Sequence, residues 1–69
     1  MILNHKLIKF VEEYTNGSVV VHTSITNSVV FEMKKLYSLK ELTEAVKNEF
    51  PCVEFDYPVD KRFIIMNWK

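Results

Sequence analysis

Residues 18–37, SVVVHTSITNSVVFEMKKLY, decide the fold that this sequence predicts. Residues 18–26 are rich in β-branched side chains and show no helical period, which predicts a strand. In residues 29–37, Val29, Phe31 and Met33 alternate with Val30, Glu32 and Lys34, which predicts a second strand with one inward face and one mixed face. The intervening TNS sequence predicts a turn, because Asn27 tolerates a left-handed backbone. We therefore predict a β-hairpin.

A helix is predicted on each side of this hairpin. Residues 2–14 carry an apolar stripe with a period of 3.6 residues, and Gly17, the only glycine, is the predicted stop. After the hairpin, Ser38 and Glu41 have the spacing of a capping box, which predicts the start of the second helix. Pro51 ends that helix because it disfavours helical backbone at the preceding residue. The predicted stripes are Leu3, Leu7, Phe10, Val11 and Tyr14 in the first helix and Leu39, Leu42, Val46 and Phe50 in the second.

Two further strands are predicted after the second helix, at 52–57 and 62–68. The sequence PVDK between them predicts a turn, with Pro58 at its first corner. The order of elements is then helix, hairpin, helix, hairpin. We predict an α+β fold of the αββαββ order: a four-stranded antiparallel sheet with two helices on one face and the two hairpins side by side.

The whole chain is interpreted as a single small domain. Residues 1–69 divide into a degenerate αββ repeat, about 1–35 and 36–69, because the order of elements recurs. The αββαββ order occurs in several unrelated small folds, including the core of LAGLIDADG homing endonucleases, but the acidic helical motif of that family is absent, so no family is recognised and no activity is carried over. The glycine-poor composition, rich in Asn and Lys, is similar to that of small accessory proteins of phages and mobile elements.

Composition favours a folded chain and makes several functions improbable. At 48% apolar and 26% charged residues, the chain has enough apolar surface to fold. Cys52 is the only cysteine, which excludes an intrachain disulfide and a cysteine-rich zinc site. One glycine cannot supply a phosphate-binding loop, so no cofactor is expected. Without an export signal or a long apolar run, we expect a cytoplasmic protein with no membrane partner.

The predicted fourth strand is apolar on both faces. Of the six residues 63–68, five are apolar, and only Asn67 breaks the run. A loop of two or four residues before this strand would turn Phe63 and Ile65 to the face without helices. A loop of three residues would instead turn Ile64, Met66 and Trp68 to that face. Exposed apolar rows of this kind mark interfaces. The alternative is a central strand whose outer row is shielded by its neighbours.

We predict a small non-enzymatic protein–protein interaction module, a regulator or inhibitor of the accessory type found in phages and mobile elements. A chain this small gains stability from a second copy of itself, so a homodimer is expected, with another partner protein as the alternative. The contact would use the apolar sheet face or a sheet edge. The predicted interface residues are Phe63, Ile64, Ile65, Met66, Trp68, Val20 and Val30.

Two other functions compete with this prediction. A nucleic-acid-binding protein would use a strip of basic pairs together with Tyr37, Trp68 and Lys69, although nine basic and nine acidic side chains leave no basic excess. An enzyme would pair Cys52 with His22, oriented by a carboxylate. A metal at His22 with Glu54 and Asp56 lacks any recognisable spacing. The candidate nucleic-acid contacts are Lys34, Lys35, Lys61, Arg62 and Tyr37.

Overall fold

The computed structural model describes residues 3–35, 39–56 and 62–69. The four strands form one antiparallel sheet in the order β1-β2-β4-β3. This confirms the α+β fold and the side-by-side hairpins, with the second strand of each hairpin in the centre. The predicted cap at Ser38 and the turn at Pro58 lie outside the described residues. The elements are α1 (Leu3–Tyr14), β1 (Val19–Ile25), β2 (Ser28–Met33), α2 (Leu39–Glu49), β3 (Glu54–Asp56) and β4 (Phe63–Asn67).

Both helices cover the same face of the sheet, as predicted. Their fully buried side chains belong to one core cluster with the inward side chains of the strands. The helices also meet directly, since the rings of Phe10 and Phe50 pack edge to face with centroids 5.6 Å apart. Neither α1 nor α2 lies on the opposite face of the sheet. The core residues are Leu7, Val11, Val19, Val29, Phe31, Met33, Leu42, Val46, Val53, Ile64, Met66 and Trp68.

The inner stripe of α1 differs from the predicted one at both ends. Tyr14 is 41% exposed, because the stripe continues from Val11 to Thr15, one helical turn later, and Tyr14 stacks on Phe10 at the border. Thr15 is buried, and its hydroxyl donates to the Val11 carbonyl at 2.8 Å. At the other end, Asn4 is buried in place of an apolar residue. Two polar side chains are therefore buried here, Asn4 within α1 and Thr15 directly after it, and both have hydrogen-bond partners.

Helix α1 ends where Gly17 predicts, with two residues in the left-handed region. Asn16 and Gly17 have φ values of 54° and 79°. The Gly17 amide donates to the Glu12 carbonyl at 2.8 Å and the Asn16 amide to the Glu13 carbonyl at 3.2 Å. This is a Schellman arrangement, which satisfies two carbonyls of the last turn. It also turns the chain into β1.

The β1–β2 hairpin closes as predicted but contains an irregularity. Asn27 has a φ of 63°, which is the left-handed conformation expected at the turn. Strand pairing then skips His22, because Val21 pairs with Phe31 while Thr23 pairs with Val30. One extra residue in β1 reverses the alternation of faces beyond it. His22 therefore lies in a β-bulge.

Candidate functional site

The face of the sheet that neither α1 nor α2 covers is here called the open face. Strand register arranges its side chains in three rows that run across the strands. Because β1 contains the bulge, its outward side chains change from even to odd positions along the strand, from Val20 to Thr23 and Ile25. The rows are Val20, Glu32 and Phe63; then Thr23, Val30, Ile65 and Asp56; then Ile25, Ser28, Asn67 and Glu54.

Apolar side chains form the centre of the open face. Val30 of β2 pairs with Ile65 of β4, and both are half-buried by their neighbours. Phe63 lies on the same side of β4 and is also half-buried. Val20 and Ile25 of β1 continue the apolar surface, with exposed fractions of 36% and 60%. The open face thus has a partly shielded apolar centre and an exposed apolar edge.

Three of the predicted interface residues lie in the core instead. Ile64 and Met66 are fully buried, and Trp68 is only 9% exposed. Asp56 pairs with Ile65, which leaves an even number of residues between them. That is the pairing expected from a two- or four-residue loop, which turns Ile64 and Met66 toward the helices. Side chains covered by their own protomer offer no surface, so the candidate interface excludes these three residues.

His22 contacts two neighbours on the open face. Its Nε2 atom lies 2.5 Å from Oε1 of Glu32, and its ring centroid lies 5.2 Å from that of Phe63. Bulges commonly aim a side chain away from the regular pleat. Here the bulge brings the imidazole next to the Glu32 carboxylate on the adjacent strand. This pair could not be predicted from the sequence, because a bulge leaves no pattern in a run of β-branched residues.

The charges near the open face are separated into two regions. Glu54 and Asp56 are exposed on β3, where Asn67 donates to Asp56 at 3.2 Å. The basic residues Lys34 and Arg62 lie at the end of the sheet where β2 finishes and β4 begins. The Met33 amide donates to the Arg62 carbonyl at 2.8 Å, which holds this end together. The exposed acidic residues Glu54 and Asp56 therefore lie along one edge strand, and the basic residues lie across one end, beside the half-buried carboxylate of Glu32.

The structure brings together only part of the predicted nucleic-acid strip. Lys34 and Lys35 are exposed at the same sheet end as Arg62. Trp68 follows the opposite end of β4, where its backbone amide donates to the Asn27 carbonyl at 3.1 Å, and its side chain is buried. It therefore cannot stack on a base beside these cations. Tyr37 and Lys61 lie outside the described residues.

The proposed catalytic and metal-binding residues are not brought together. His22 is on β1 and Glu54 and Asp56 are on β3, the two edges of the sheet. Three strand spacings separate these edges, about 14 Å. Cys52 is exposed in the turn before β3, on the far side from His22. Within residues 3–35, 39–56 and 62–69, no group of three His, Cys, Asp or Glu side chains could hold a metal ion.

A groove of about 620 Å³ opens at the sheet end opposite the basic region. It lies between the first turn of α1 and the β1–β2 turn, with Trp68 at its base. Asn4 lines this groove. Its Nδ2 atom donates to the Ile25 carbonyl at 2.7 Å and to the Ser24 hydroxyl at 3.1 Å. These bonds connect the helix to the hairpin. The buried Asn4 was not predicted from the sequence, because it interrupts an apolar stripe.

The fold and the site define a small α+β protein with an uncovered apolar sheet face. Comparison with protein-family models, with curated proteins and with solved structures finds no match to this chain. In the part of the chain that the structure describes, no helix is both long and apolar enough to cross a membrane.

Proposed function

We propose that the protein is a non-enzymatic interaction module that forms a homodimer through its open face. The observation that supports this most directly is the apolar centre formed by Val30, Phe63 and Ile65, which no helix covers. Burying two or three large apolar side chains contributes roughly 3–6 kcal/mol if a partner covers them. A regulatory or inhibitory role of the accessory-protein kind is part of the proposal and rests on composition.

The small size of the chain favours a second copy as the partner. A domain of 69 residues buries only about 60% of the surface that its unfolded chain exposes, so its core is marginal. Small domains compensate with disulfides, metals or oligomerisation. With a single cysteine, an intrachain disulfide is excluded. Dimerisation through the open face would cover the remaining apolar surface of the sheet.

The sheet edges are poorer candidates for the contact. Strand β1 contains the bulge at His22, and bulges interrupt pairing along an edge. Strand β3 has only three residues, two of which are the exposed acidic residues Glu54 and Asp56. Short edge strands and edge charges both discourage strand addition. The face is therefore favoured over either edge.

Light scattering coupled to size-exclusion chromatography tests this proposal, together with sedimentation over a range of concentrations. We expect a particle of twice the protomer mass of 8.2 kDa. Ile65→Lys, at the centre of the open face, is expected to give a folded monomer. Tyr14→Lys is the matched control, because it replaces an exposed apolar residue outside the open face. A wild-type protein that stays monomeric at the highest concentration would refute the proposal.

Nucleic-acid binding remains the alternative function, and no contact among residues 3–35, 39–56 and 62–69 favours it. The acidic residues Glu54 and Asp56 border the open face, and like charge there opposes a phosphate backbone. Retardation of single-stranded DNA or RNA that disappears as salt rises, and that Lys34→Glu abolishes, would favour this alternative over the homodimer.

A further inference from the structure

We propose that dimerisation through the open face takes up a proton at His22 of each protomer, so that the homodimer is tighter in mildly acidic solution than in neutral solution. This inference rests on the proposed homodimer and adds the condition that regulates it. The coupling arises from one carboxylate, that of Glu32, which lies inside the apolar surface. It does not depend on how the two sheets are oriented.

Glu32 lies within the apolar surface of the open face. Its strand partners are Val20 on β1 and Phe63 on β4, so an apolar side chain flanks it on each side in the same row. Val30 is two residues away on the same side of β2, at about 7 Å. The Glu32 side chain is 30% exposed. A second copy that covers Val20, Val30 and Phe63 therefore also removes water from this carboxylate.

His22 is positioned to compensate for that loss of water. A covered carboxylate is tolerated only when a cation and hydrogen-bond donors replace its water. The His22 Nε2 atom lies 2.5 Å from Oε1 of Glu32. A neutral imidazole donates one N–H there but leaves the negative charge uncompensated. When Nδ1 takes a proton from the solvent, the imidazolium and the carboxylate together carry no net charge, so this form of the pair is the one that a second copy covers most easily.

Phe63 favours the same protonated form of His22. The two ring centroids are 5.2 Å apart. This is within the distance of about 6 Å over which an aromatic ring attracts a cation, and the attraction is stronger where water is excluded. The bulge in β1 holds the imidazole against both neighbours, Glu32 on β2 and Phe63 on β4.

The other charged groups near His22 lie at the border of the open face. Strand β1 has no other charged residue, and the helices with their charged side chains lie on the other face of the sheet. Glu54 and Asp56 are on β3, three strand spacings from β1, or about 14 Å. Lys34 is exposed beyond the end of β2, and Arg62 stands at the same sheet end. If either of these cations neutralised Glu32 in the dimer, association would need no proton and would not respond to pH.

Sedimentation equilibrium across the pH range in which histidines ordinarily titrate tests the coupling. A complex that binds more protons than its separate parts becomes tighter as the pH falls. We therefore expect the dimer dissociation constant of the wild type to fall about tenfold or more from about pH 7.5 to about pH 5.5. Dilution calorimetry in buffers of different ionisation enthalpy counts the protons, and we expect an uptake of about one per protomer on association.

Three variants show whether the pair of His22 and Glu32 is responsible. Glu32→Gln removes the charge that must be covered, so its dimer at about pH 7.5 should be tighter than that of the wild type, and the pH dependence should be lost or reversed. His22→Gln leaves the carboxylate without a proton-accepting neighbour, so its dimer should stay weak across the range. His5→Gln is the matched control, because His5 is exposed on α1 outside the open face, and it should keep the wild-type dependence.

Circular dichroism and urea unfolding first establish that each variant is folded. The Glu32→Gln variant keeps the test decisive, because a folding defect does not tighten a dimer. If the wild-type constant does not change with pH, or if Glu32→Gln keeps the wild-type dependence, the coupling is wrong while the homodimer stands. If the wild type is monomeric at every pH, the proposed function fails and the coupling fails with it.

Discussion

The imidazole of His22 lies 2.5 Å from the carboxylate of Glu32, although the strand partner of Glu32 is Val20. The bulge in β1 produces this diagonal contact, because the extra residue carries His22 out of register and over β2. The imidazole N–H donates and the carboxylate accepts. Phe63 contacts the same pair, with its ring centroid 5.2 Å from that of His22.

The contact between His22 and Glu32 should contribute little to the stability of the protomer. The side chains are 43% and 30% exposed, and partly exposed pairs are screened by water and salt. We expect Glu32→Gln to lower the free energy of unfolding by less than about 1 kcal/mol. A double-mutant cycle with His22→Gln, measured by urea unfolding at low and high salt, gives the coupling energy. A coupling well above that value, unchanged by salt, would contradict this interpretation.

Neighbouring isoleucines of β4 should respond differently to the same substitution. Ile64 is fully buried, so Ile64→Val is expected to lower the free energy of unfolding by about 0.5–1.5 kcal/mol. Ile65 is half-buried on the open face, and the matched change Ile65→Val should cost less than half as much. Urea unfolding at low protein concentration keeps dimerisation out of the comparison. Equal effects, or the reverse order, would mean that the strand faces are assigned wrongly.

The end of α1 depends on two residues in the left-handed region. Gly17 has a φ of 79°, and no atom lies within 4 Å of where a Cβ would stand. Gly17→Ala therefore meets only backbone strain, and we expect a loss of about 1–2 kcal/mol. Asn16→Gly is the control, because glycine adopts the φ of 54° freely and should leave stability unchanged or slightly raised. The midpoint of thermal unfolding is measured for both variants. An unchanged midpoint for Gly17→Ala would contradict the Schellman arrangement at the end of α1.

Asn4 should connect α1 to the hairpin through its amide nitrogen. Asn4→Ala leaves the Ile25 carbonyl and the Ser24 hydroxyl without this donor, at an expected cost of about 1–3 kcal/mol. Asn4→Asp should cost more at neutral pH, because a carboxylate would face the same carbonyl oxygen. Ser24→Ala removes one acceptor only and should cost less than either change. Urea unfolding ranks the three variants by their free energy of unfolding. If Asn4→Asp leaves this free energy unchanged, the Asn4 amide is oriented otherwise.

Local sequence patterns predicted the helices and the order of the elements. The apolar spacing of Leu7 with Val11, and of Leu42 with Val46, identified the buried face of each helix. Side-by-side hairpins were predicted from the repeated order of elements, and the sheet confirms them. These features depend on periodicity within one element or on short turns. Patterns of this kind lie within a short stretch of residues, so they can be recognised in a single amino-acid sequence.

The side chains of the open face could be predicted only in part, because they depend on register. The loop before β4 allowed two parities, and pairing of Asp56 with Ile65 distinguishes them. The bulge at His22 arises from pairing with β2 and has no signature within β1 itself. The burial of Trp68 follows from the same parity as Met66. Tertiary pairing, which a local pattern does not contain, decided each of these positions.

The central position of β4 has a consequence for biosynthesis. Strand β2 finds its second neighbour only in Phe63–Asn67, and β3 pairs with this strand alone, so a nascent chain that has not reached these residues can form only the β1–β2 ladder. Until then the inward side chains Val29 and Phe31 lack their neighbours Met66 and Ile64. Assembly on the ribosome must therefore wait for this strand to emerge from the exit tunnel, and an interrupted translation product would be a ready target for proteolysis.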